Sequence, residues 1–421
     1  MKARYSPMMF RHLPWLRKFA DQRSIPIIPV LAKNIEFLSG PSHFYNFLLN
    51  SIRESKIRIG LSALYLGTGP KEIQLVDALS EKLSTNSALG AIILLDQHRA
   101  RRVNEDGQSS TSLLKSLESI VNFRLALIGT ANELPLLSRF HRLNEIRSIY
   151  HSKFGIFDRN VLITGAKLSE IYFEKRQDRY MVIRDTDYIS NYVQDLAQTL
   201  SSDSSFATRI RELNSKHKQF SDRAIDQDVL QDTYVIPLLQ FKKFCVTDTD
   251  NFLSSLSYNS RDAEVHLSTG YFNPGEIINS INFKSLLAPS GRANGFYAGR
   301  GVLSKVPEMY ASIYRSYLQE HSRTQLYLYE RDGWSFHAKG IWIKYPQGLY
   351  MHIIGSSNFN VRSSERDLEF QLVLLTSNTD LINMLEGERE QLWSSSRRSC
   401  IQDFPPSISH KAILPLVRTF L

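Results

Sequence analysis

Cysteine is nearly absent from this chain of 421 residues, which contains only Cys245 and Cys400. Two cysteines provide neither a disulfide framework nor the thiolate set of a structural zinc site. The His-Glu-x-x-His spacing of zinc hydrolases is also missing. We therefore expect a protein of a reducing compartment whose chemistry needs no cofactor and no metal ion.

Long apolar runs are missing as well. The longest, such as residues 89–95 (LGAIILL), are far shorter than the roughly 20 residues that a helix needs to cross a bilayer. A hydrophobic content of 42% with 22% charged residues is typical of a folded soluble or peripheral protein. The formal net charge of +9 favours phosphates, nucleic acid or an acidic membrane surface as partners. A solvated basic face explains the charge equally well.

Acidic residues are absent from residues 1–20 (MKARYSPMMFRHLPWLRKFA). Because this stretch mixes basic and apolar side chains, residues 1–24 are interpreted as a transit peptide or a membrane-contact segment. The stretch is poor in serine, and Pro14 interrupts any helix. A disordered or docked tail is therefore an equally good interpretation.

The rest of the chain uses one pattern of elements twice. Each copy has a β-rich run, a His-x-Lys strand, a glycine turn, an Arg/Asp pair before another strand, and an amphipathic helix. The copies occupy residues 56–200 and 263–393, and the polar residues 201–226 between them are the predicted linker. We predict an α/β fold of two pseudo-symmetric α/β sandwich domains, residues 25–225 and 226–421, which share one active site.

The two His-x-Lys pairs are the main catalytic candidates: His151 with Lys153, and His337 with Lys339. Residues two apart on a strand point to the same side, so each pair shares a face. A two-fold arrangement of the halves would bring together two imidazoles and two ammonium groups. Such a set suits a phosphodiester, because one histidine can attack phosphorus, the other can protonate the leaving oxygen, and the lysines can hold the phosphoryl oxygens. One such pair alone would be interpreted as a surface pair, but two copies in matching repeats favour catalysis.

A nucleophilic histidine needs an acceptor that holds its second nitrogen. Asp178 and Asp367 precede strands at equivalent places in the two copies, and they are the candidates for this role. Salt bridges to Arg176, Arg179 or Arg366 are the alternative for these two carboxylates.

The two motifs differ seven residues after the histidine, where the first copy has Asp158 and the second has Lys344. Asp158 stays among the catalytic candidates because it completes the pattern His-x-Lys-x(4)-Asp. On a regular strand, however, its odd offset turns its side chain away from the histidine, and it opens a turn that aspartate commonly stabilises. In the second copy Pro346 and Gly348 indicate a remodelled hairpin that has no need of the aspartate.

The duplicated motif resembles that of the phospholipase D superfamily. Further stretches resemble one branch of it, the eukaryotic-type phosphatidylglycerophosphate synthases. They are LYLGTGP (64–70), LSEIYFEKRQDRY (168–180), STGYFNP (268–274), ANGFYAGRG (293–301), DGWSFHAKGIW (332–342) and GSSNFNVRSSERDLEFQ (355–371). The second motif of that branch resembles this one in lacking the aspartate.

The resemblance implies a phospholipase D-like fold and a phosphatidyl transfer without metal. CDP-diacylglycerol would lose CMP to a histidine, and glycerol 3-phosphate would resolve the phosphatidyl-histidine to phosphatidylglycerophosphate, the first step toward phosphatidylglycerol and cardiolipin. His151 would be the nucleophile, oriented by Asp367, and His337 the general acid, oriented by Asp178. The expected place of work is the matrix side of the mitochondrial inner membrane, with an anionic membrane surface as partner and no nucleic acid.

Six residues are candidates for binding substrate phosphates: Gly67, Thr68, Gly69, Lys167, Asn358 and Arg300. The glycine loop follows a strand and either brings backbone N–H groups to a phosphate or forms only a tight turn. Asn358 can donate to a phosphoryl oxygen, and Lys167 stands at the equivalent place of the first copy, where the family more often has asparagine. Arg300 and Arg99 either reach a substrate or lipid phosphate or lie in solvated loops.

Two other functions remain open from the sequence. A phosphodiesterase on the same scaffold would hydrolyse a lipid or a nucleic acid, and the basic charge fits the latter as well. The chain lacks an obvious series of aromatic residues for stacking single-stranded bases, which argues against nucleic acid. A lipid-binding module without catalysis would result if the second motif were inactive.

Overall fold

The computed structural model describes residues 8–130, 149–202, 206–226, 231–297, 299 and 305–405. The helices are α1 Met8–His12, α2 Pro14–Gln22, α3 Pro41–Glu54, α4 Pro70–Thr85, α5 Gln97–Ala100, α6 Ser110–Leu114, α7 Glu170–Glu174, α8 Asp187–Leu200, α9 Phe206–Asp226, α10 Asp248–Asn259, α11 Glu276–Asn279, α12 Val306–Glu320, α13 Val361–Glu365 and α14 Thr379–Ser394. Short 3-10 helices occur at Ala32–Asn34, Lys115–Ser119, Lys242–Phe244 and Ile401–Asp403.

The first half of the chain builds one mixed sheet. Its strands are β2 Ile35–Phe37, β3 Arg58–Ala63, β4 Gly90–Asp96, β5 Phe123–Ile128, β6 Phe154–Phe157, β7 Asn160–Thr164 and β9 Tyr180–Ile183. Their order across the sheet is β2-β9-β7-β6-β3-β4-β5. Strands β3, β4 and β5 run parallel, and the other neighbours are antiparallel.

A larger mixed sheet belongs mainly to the second half. Its strands are β1 Ile28–Pro29, β10 Thr233–Phe241, β11 Val246–Thr247, β12 Glu264–Ser268, β13 Ser285–Pro289, β14 Gln325–Tyr329, β16 Gly340–Lys344, β17 Tyr350–Gly355, β18 Glu369–Thr376 and β19 Ser396–Ser399. Their order is β1-β10-β18-β17-β16-β12-β13-β14-β19, with β11 paired to β10. Two further strands, β8 Arg176–Gln177 and β15 Ser335–Phe336, pair in parallel across the two halves.

The two sheets repeat the same six-strand arrangement. The order β9-β7-β6-β3-β4-β5 corresponds to β18-β17-β16-β12-β13-β14, with the parallel strands at the same places. Strands β6 and β16 each follow directly after a His-x-Lys motif. The predicted α/β fold of two pseudo-symmetric domains is confirmed.

The halves share a hydrophobic core. One buried cluster contains Ile156 and Ile163 of the first sheet together with Tyr350, Leu372 and Leu374 of the second. A parallel strand such as β4 (GAIILLD) is almost continuously apolar, because both of its faces are covered. The packing of sheet against sheet fixes the ends of β6 and β16 relative to each other.

Helices α1 and α2 pack against the second half. Phe10 lies edge-on to Tyr234, with ring centroids 5.2 Å apart, and Phe19 contacts Phe252 of α10 at 5.4 Å. Leu16 is completely buried in the same core. The predicted interpretation of residues 1–24 as a membrane-contact segment is corrected for these apolar side chains, since the protein itself covers them. Residues 1–7 lie outside the described ranges, and targeting stays a prediction.

The predicted linker, residues 201–226, is largely the helix α9 rather than an extended connection. Ile210, Leu213 and Ser221 recur on one face of the helix and are buried, so its polar composition belongs to the opposite face. The domain boundary also differs at the start of the chain, because β1 pairs with β10 of the second sheet. No helix within the described ranges is both long and apolar enough to cross a bilayer.

Candidate active site

Backbone pairing attaches each catalytic motif to the opposite half. The N–H of His151 donates to the carbonyl of Leu368 at 2.9 Å, and Tyr150 forms a parallel bridge with Leu368. In the same way the N–H of His337 donates to the carbonyl of Gln177 at 2.8 Å. Each histidine therefore lies beside the acidic residues of the other half.

His337 and Asp178 form a buried pair, as predicted. The Nδ1 atom of His337 lies 2.7 Å from Oδ2 of Asp178, and both side chains are almost completely buried. The other carboxylate oxygen accepts the backbone N–H of Arg179 at 2.9 Å. The Nζ atom of Lys339 lies 3.7 Å from the same Oδ2. Asp178 fixes the orientation of the ring and can offset a positive charge that forms on it, whereas Nζ of Lys339, 2.7 Å from Nδ1, opposes that charge.

The carboxylate that holds His151 is Glu369, which the sequence reasoning missed. The Nδ1 atom of His151 lies 2.9 Å from Oε1 and 3.0 Å from Oε2 of Glu369. Ser356 and Ser363 donate their hydroxyl groups to the same carboxylate. These donors fix Glu369, so that it can orient the imidazole and keep the Nδ1 proton in place.

The predicted partner of His151, Asp367, has a different role. Its Oδ1 accepts the backbone N–H of Ile149 at 3.1 Å, and its Oδ2 accepts Nε of Arg362 at 2.9 Å. Asp367 thus holds the segment that leads into the motif, two residues away from the group that contacts the ring. Residues 367 and 369 have the same parity, and β18 begins at Glu369 while β9 begins at Tyr180, two residues after Asp178. Asp178 and Asp367 thus stand at the same offset before their strands, and in the second half it is the first strand residue, Glu369, that reaches the imidazole.

The surroundings of both histidines disfavour the protonated imidazole. Burial and the neighbouring ammonium of Lys153 hold the pKa of His151 well below its usual value. Burial and the ammonium of Lys339 do the same for the pKa of His337. Burial also lowers the pKa of Lys153 to about 7 and that of Lys339 to about 8. The two imidazoles and two lysines are therefore crowded together, and a bound anion would stabilise their protonated forms.

Two tyrosines and an arginine line the site beside His337, and the sequence reasoning did not single them out for function. The rings of Tyr172 and Tyr271 stand edge-on to the imidazole at 5.2 and 5.6 Å. The guanidinium of Arg176 lies 4.9 Å from the centroid of Tyr172 and donates to the hydroxyl of Tyr271 at 3.2 Å. These residues lie in two of the stretches that resemble the synthase branch, and this resemblance is the signal in the sequence by which they could have been found. Arg176 adds a fixed positive charge at the edge of the site.

Lys167 lies in the site as predicted, between aromatic rings. Its Nζ is 5.5 Å from the centroid of Tyr65 and 5.8 Å from that of Tyr172. Burial and the charges of Arg99 and Arg176 hold the pKa of Lys167 well below its usual value. The amide oxygen of Asn358 is buried and has no hydrogen-bond partner among the described residues. Lys167 therefore offers a cation in the site, whereas the atom of Asn358 without a partner is an acceptor and not the predicted donor to a phosphoryl oxygen.

The glycine loop does not form a phosphate cradle. The carboxylate of Glu72 accepts the backbone N–H of Glu170, and a Cβ atom on Gly67 would lie 2.3 Å from Oε1 of Glu72. Carboxylate oxygens of Glu72 and Glu170 also lie against Gly69. The prediction for Gly67, Thr68 and Gly69 is corrected, because two carboxylates occupy the space that a phosphate would need and would repel it.

The structure removes Asp158 from the catalytic candidates. Its backbone is left-handed, with φ of 52°, and its carboxylate accepts the N–H groups of Lys56, Ile57 and Arg58 at 2.8 to 3.0 Å. Asp158 stabilises the turn at the far end of β6, in agreement with the strand parity. The remaining phosphate candidate, Arg300, lies outside the described residues.

In the described part of the chain, one group of side chains is of the types that can bind a metal ion: His151, Asp367 and Glu369. Their potential ligand atoms lie within 4.8 Å of one another. These atoms already accept or share hydrogen bonds with Ser356, Ser363, Ile149, Arg362 and the imidazole itself. The ammonium of Lys153 also acts on Glu369. This environment favours hydrogen bonding over coordination of a cation.

Comparisons with known proteins give a consistent set of relatives. No profile of a known protein family matches the chain. The chain is 31% identical to a probable CDP-diacylglycerol–glycerol-3-phosphate 3-phosphatidyltransferase of Dictyostelium discoideum, over 90% of this chain and 75% of the relative. It is 30% identical to the mitochondrial enzymes of that name from Gallus gallus and Homo sapiens, over 96% of this chain and 86% and 85% of the relatives.

Among solved structures, a phosphatidylserine synthase of Haemophilus influenzae superposes with a TM-score of 0.74. The match covers 96% of this chain and 99% of that protein, at 18% sequence identity. The similarity establishes a common fold for the two proteins.

Proposed function

The chain belongs to the CDP-diacylglycerol–glycerol-3-phosphate 3-phosphatidyltransferase family, and we propose that it transfers a phosphatidyl group from CDP-diacylglycerol to glycerol 3-phosphate. The products are phosphatidylglycerophosphate and CMP, and the reaction is the first step toward phosphatidylglycerol and cardiolipin. One observation carries the proposal: two buried histidines meet between the halves, each hydrogen-bonded to a carboxylate of the opposite half. We further assign the chain to the phospholipase D superfamily, on the duplicated motif and the repeated strand order.

The first step uses His151 as the nucleophile. Its Nε2 attacks the phosphorus that carries the diacylglycerol, and the bond from this phosphorus to the CMP oxygen breaks. The proton on Nδ1 stays on the hydrogen bond to Glu369, which offsets the charge that forms on the ring. The diphosphate of the substrate raises the pKa of His337, and the imidazolium, stabilised by Asp178, donates a proton to the leaving oxygen.

The second step reverses these roles. His337, now neutral, accepts the proton of the terminal hydroxyl of glycerol 3-phosphate as that oxygen attacks the phosphorus. The bond between phosphorus and Nε2 of His151 breaks, so His151 is neutral again and His337 is the imidazolium that it was in the substrate complex; His337 gives this proton to solvent when the anionic products leave. Lys153 and Lys339 hold the phosphoryl oxygens during both steps, because their ammonium groups lie on the same side of the strands as the histidines.

Lys167 and Arg176 are suited to bind the second anion, the phosphate of glycerol 3-phosphate. Each lies against the ring of Tyr172, and the charge of Arg176 lowers the pKa of Lys167. An incoming phosphate relieves this repulsion, so binding and charge compensation act together. We propose that no metal takes part, since five donors already saturate the carboxylate and imidazole group around His151.

A cavity of about 870 Å³ leads to this edge of the site, and we propose that it faces the membrane. Arg176 lines it, and its rim presents Ile171 and Tyr297, which are 48% and 58% exposed. The lining carries four basic residues and four acidic ones, and among them Lys175 and Arg292 can contact anionic head groups. This face replaces the N-terminal segment as the proposed site of membrane contact. The relatives from Gallus gallus and Homo sapiens are named mitochondrial, and we propose peripheral attachment to the matrix side of the inner membrane.

The experiment is a product assay with purified protein in a metal chelator. CDP-diacylglycerol plus glycerol 3-phosphate should give CMP and phosphatidylglycerophosphate, and His151→Ala and His337→Ala should each abolish the product. Arg398→Gln, at an exposed arginine of β19, is the control and should keep full activity. Phosphatidic acid as the main product in the presence of glycerol 3-phosphate would indicate a hydrolase. Strict dependence on a divalent metal would contradict the proposed mechanism, in which histidines and lysines act without a metal ion.

A further inference from the structure

Arg179 is a buried arginine at the boundary between the halves, and its guanidinium contacts the second His-x-Lys motif directly. The side chain is 1% exposed, and Nη1 donates to the backbone carbonyl of Lys339 at 3.1 Å. The preceding residue, Asp178, holds the ring of His337. Two consecutive residues of the first half therefore contact both catalytic residues of the second motif.

Glu388 of α14 fixes the guanidinium in this position. Nε of Arg179 donates to Oε1 of Glu388 at 2.7 Å, and Nη2 donates to Oε2 at 2.5 Å. Two parallel hydrogen bonds between a guanidinium and a carboxylate determine both the distance and the plane of the group. The contact joins α14 of the second half to the residue that precedes β9 in the first half.

Side chains of the second sheet complete the surroundings of the guanidinium. Its carbon lies 4.1 Å from the ring centroid of Trp342, and Nη2 lies 2.7 Å from Nε2 of His352. Nδ1 of His352 donates to the carbonyl of Ile341 at 3.0 Å, so Nε2 accepts the hydrogen bond from Arg179. Burial and the charge of Arg179 hold the pKa of His352 well below its usual value, which keeps the ring in this neutral form.

Gly340 leaves room for the guanidinium beside the second motif. A Cβ atom at this position would lie 2.1 Å from Nη1 of Arg179. The first copy has Phe154 at the place equivalent to Gly340, and Leu368 at the place equivalent to Arg179. Phe154 and Leu368 belong to the shared apolar core. Apolar packing therefore supports the first motif, whereas an ion pair that reaches the backbone supports the second.

We propose that Arg179 is a positioning residue for Lys339, and that Glu388 holds it in place. The guanidinium fixes the peptide group that follows Lys339, so the ammonium of this lysine meets the phosphoryl oxygens from a fixed backbone. Arg179 touches no reacting atom and acts through the lysine. The inference rests on the proposed function for the role of Lys339, and it names a further residue on which that role depends.

The test removes the ion pair without leaving a buried charge. In Arg179→Met/Glu388→Leu, the apolar-pair variant, both charged side chains are replaced by apolar ones, a kind of change that often preserves folding. The net charge stays the same, and the carbonyl of Lys339 loses its donor. The matched control is Arg184→Met/Glu36→Leu, which removes an Arg–Glu pair beyond the other end of β9. Thermal unfolding checks that each variant is folded.

Inorganic phosphate reports on the position of Lys339 without turnover. In a calorimetric titration of the full chain, the apolar-pair variant should raise the Kd for phosphate about 10-fold, and the control should leave it unchanged. Lys339→Met should raise the Kd about 10-fold by itself. Combined with Lys339→Met, the apolar-pair variant should have no further effect, because Arg179 acts only through this lysine.

Additive effects in this cycle would overturn the inference, and so would an unchanged Kd in the folded apolar-pair variant or the lack of saturable phosphate binding in the wild type. If the apolar-pair variant is unfolded, Arg179→Lys takes its place, because a lysine keeps the charge but cannot bind Glu388 and the carbonyl of Lys339 together. The titration involves no turnover. A failed transferase assay with the expected cycle would therefore overturn the proposed function alone, and an additive cycle with a working transferase would overturn this inference alone.

Discussion

The Nδ1 atom of His151 lies 2.9 Å from Oε1 of Glu369, a carboxylate that belongs to the other half of the chain. His337 and Asp178 form the reciprocal contact at 2.7 Å. Each of the two catalytic imidazole–carboxylate pairs therefore needs both halves of the chain. Catalysis depends on the shared core that holds the two sheets together, and a change that loosens this core should reduce activity before it unfolds either half.

Glu369→Gln should reduce kcat by about 100-fold or more, because an amide cannot offset the charge on the His151 ring during attack. Asp367→Asn keeps an acceptor for the N–H of Ile149 and loses the ion pair with Arg362 and a charge that acts on His151 without contacting its ring, so its effect should be clearly smaller than that of Glu369→Gln. Steady-state kinetics of the two folded variants make the comparison. If Asp367→Asn proved the more damaging change, the assignment of Glu369 would be wrong.

The pH dependence of kcat/KM should reflect the loss of positive charge from Lys153 and Lys339. The pKa of Lys153 is lowered to about 7 and that of Lys339 to about 8, so these groups lose their charge at a pH where ordinary lysines keep it. Burial holds the pKa of each histidine well below its usual value, and both are already neutral in the free enzyme at pH 7. We expect kcat/KM to fall as pH rises from about 7, through the pKa of Lys153, and further above about 8, through that of Lys339. A profile that stays level to pH 10 would exclude the lysines as binders of the phosphoryl oxygens.

Asp158→Ala should act on stability and leave the chemistry intact. The change removes the acceptor of three backbone N–H groups and places alanine at a φ of 52°, with an expected loss of about 3 kcal/mol in unfolding free energy. Asp158→Asn, which keeps an acceptor and tolerates the left-handed backbone, should lose less. Urea unfolding measures both variants. Loss of turnover in a folded Asp158→Ala protein would return this residue to the catalytic set.

Tyr297→Asp should weaken binding to anionic vesicles by several-fold, because it places a charge on the exposed rim of the 870 Å³ cavity. Tyr258→Asp is the matched control, since Tyr258 is 71% exposed and does not line this cavity. Vesicle sedimentation compares the two variants with the wild type. Equal weakening by both changes would point to net charge instead of a membrane-facing rim.

Repeats and parity allow much of this site to be predicted from the sequence. The two His-x-Lys pairs follow from a duplicated pattern and from the two-residue period of strands, whereas the crossing of Asp178 to His337 was implied by the resemblance to the synthase branch. Glu369 could not be chosen over Asp367 in this way, because residues two apart have the same parity and only the contact with His151 in the folded protein decides between them.

Other features depend on tertiary contacts that no local pattern records. The carboxylate of Glu72 fills the glycine loop, although the loop alone resembles a phosphate cradle. An amphipathic segment such as α2 has the same composition whether it packs on a membrane or on a protein core. Its docking against Phe252 is visible only in the structure.

The most direct measurement of the central claim is to trap and map the covalent intermediate. CDP-diacylglycerol is mixed with the protein without glycerol 3-phosphate and without metal, the reaction is quenched, and the modified peptide is identified by mass spectrometry. The account predicts a phosphatidyl group on His151, no adduct in His151→Ala, and CMP release that matches the adduct. An adduct on His337, or turnover that proceeds in His151→Ala, would contradict it.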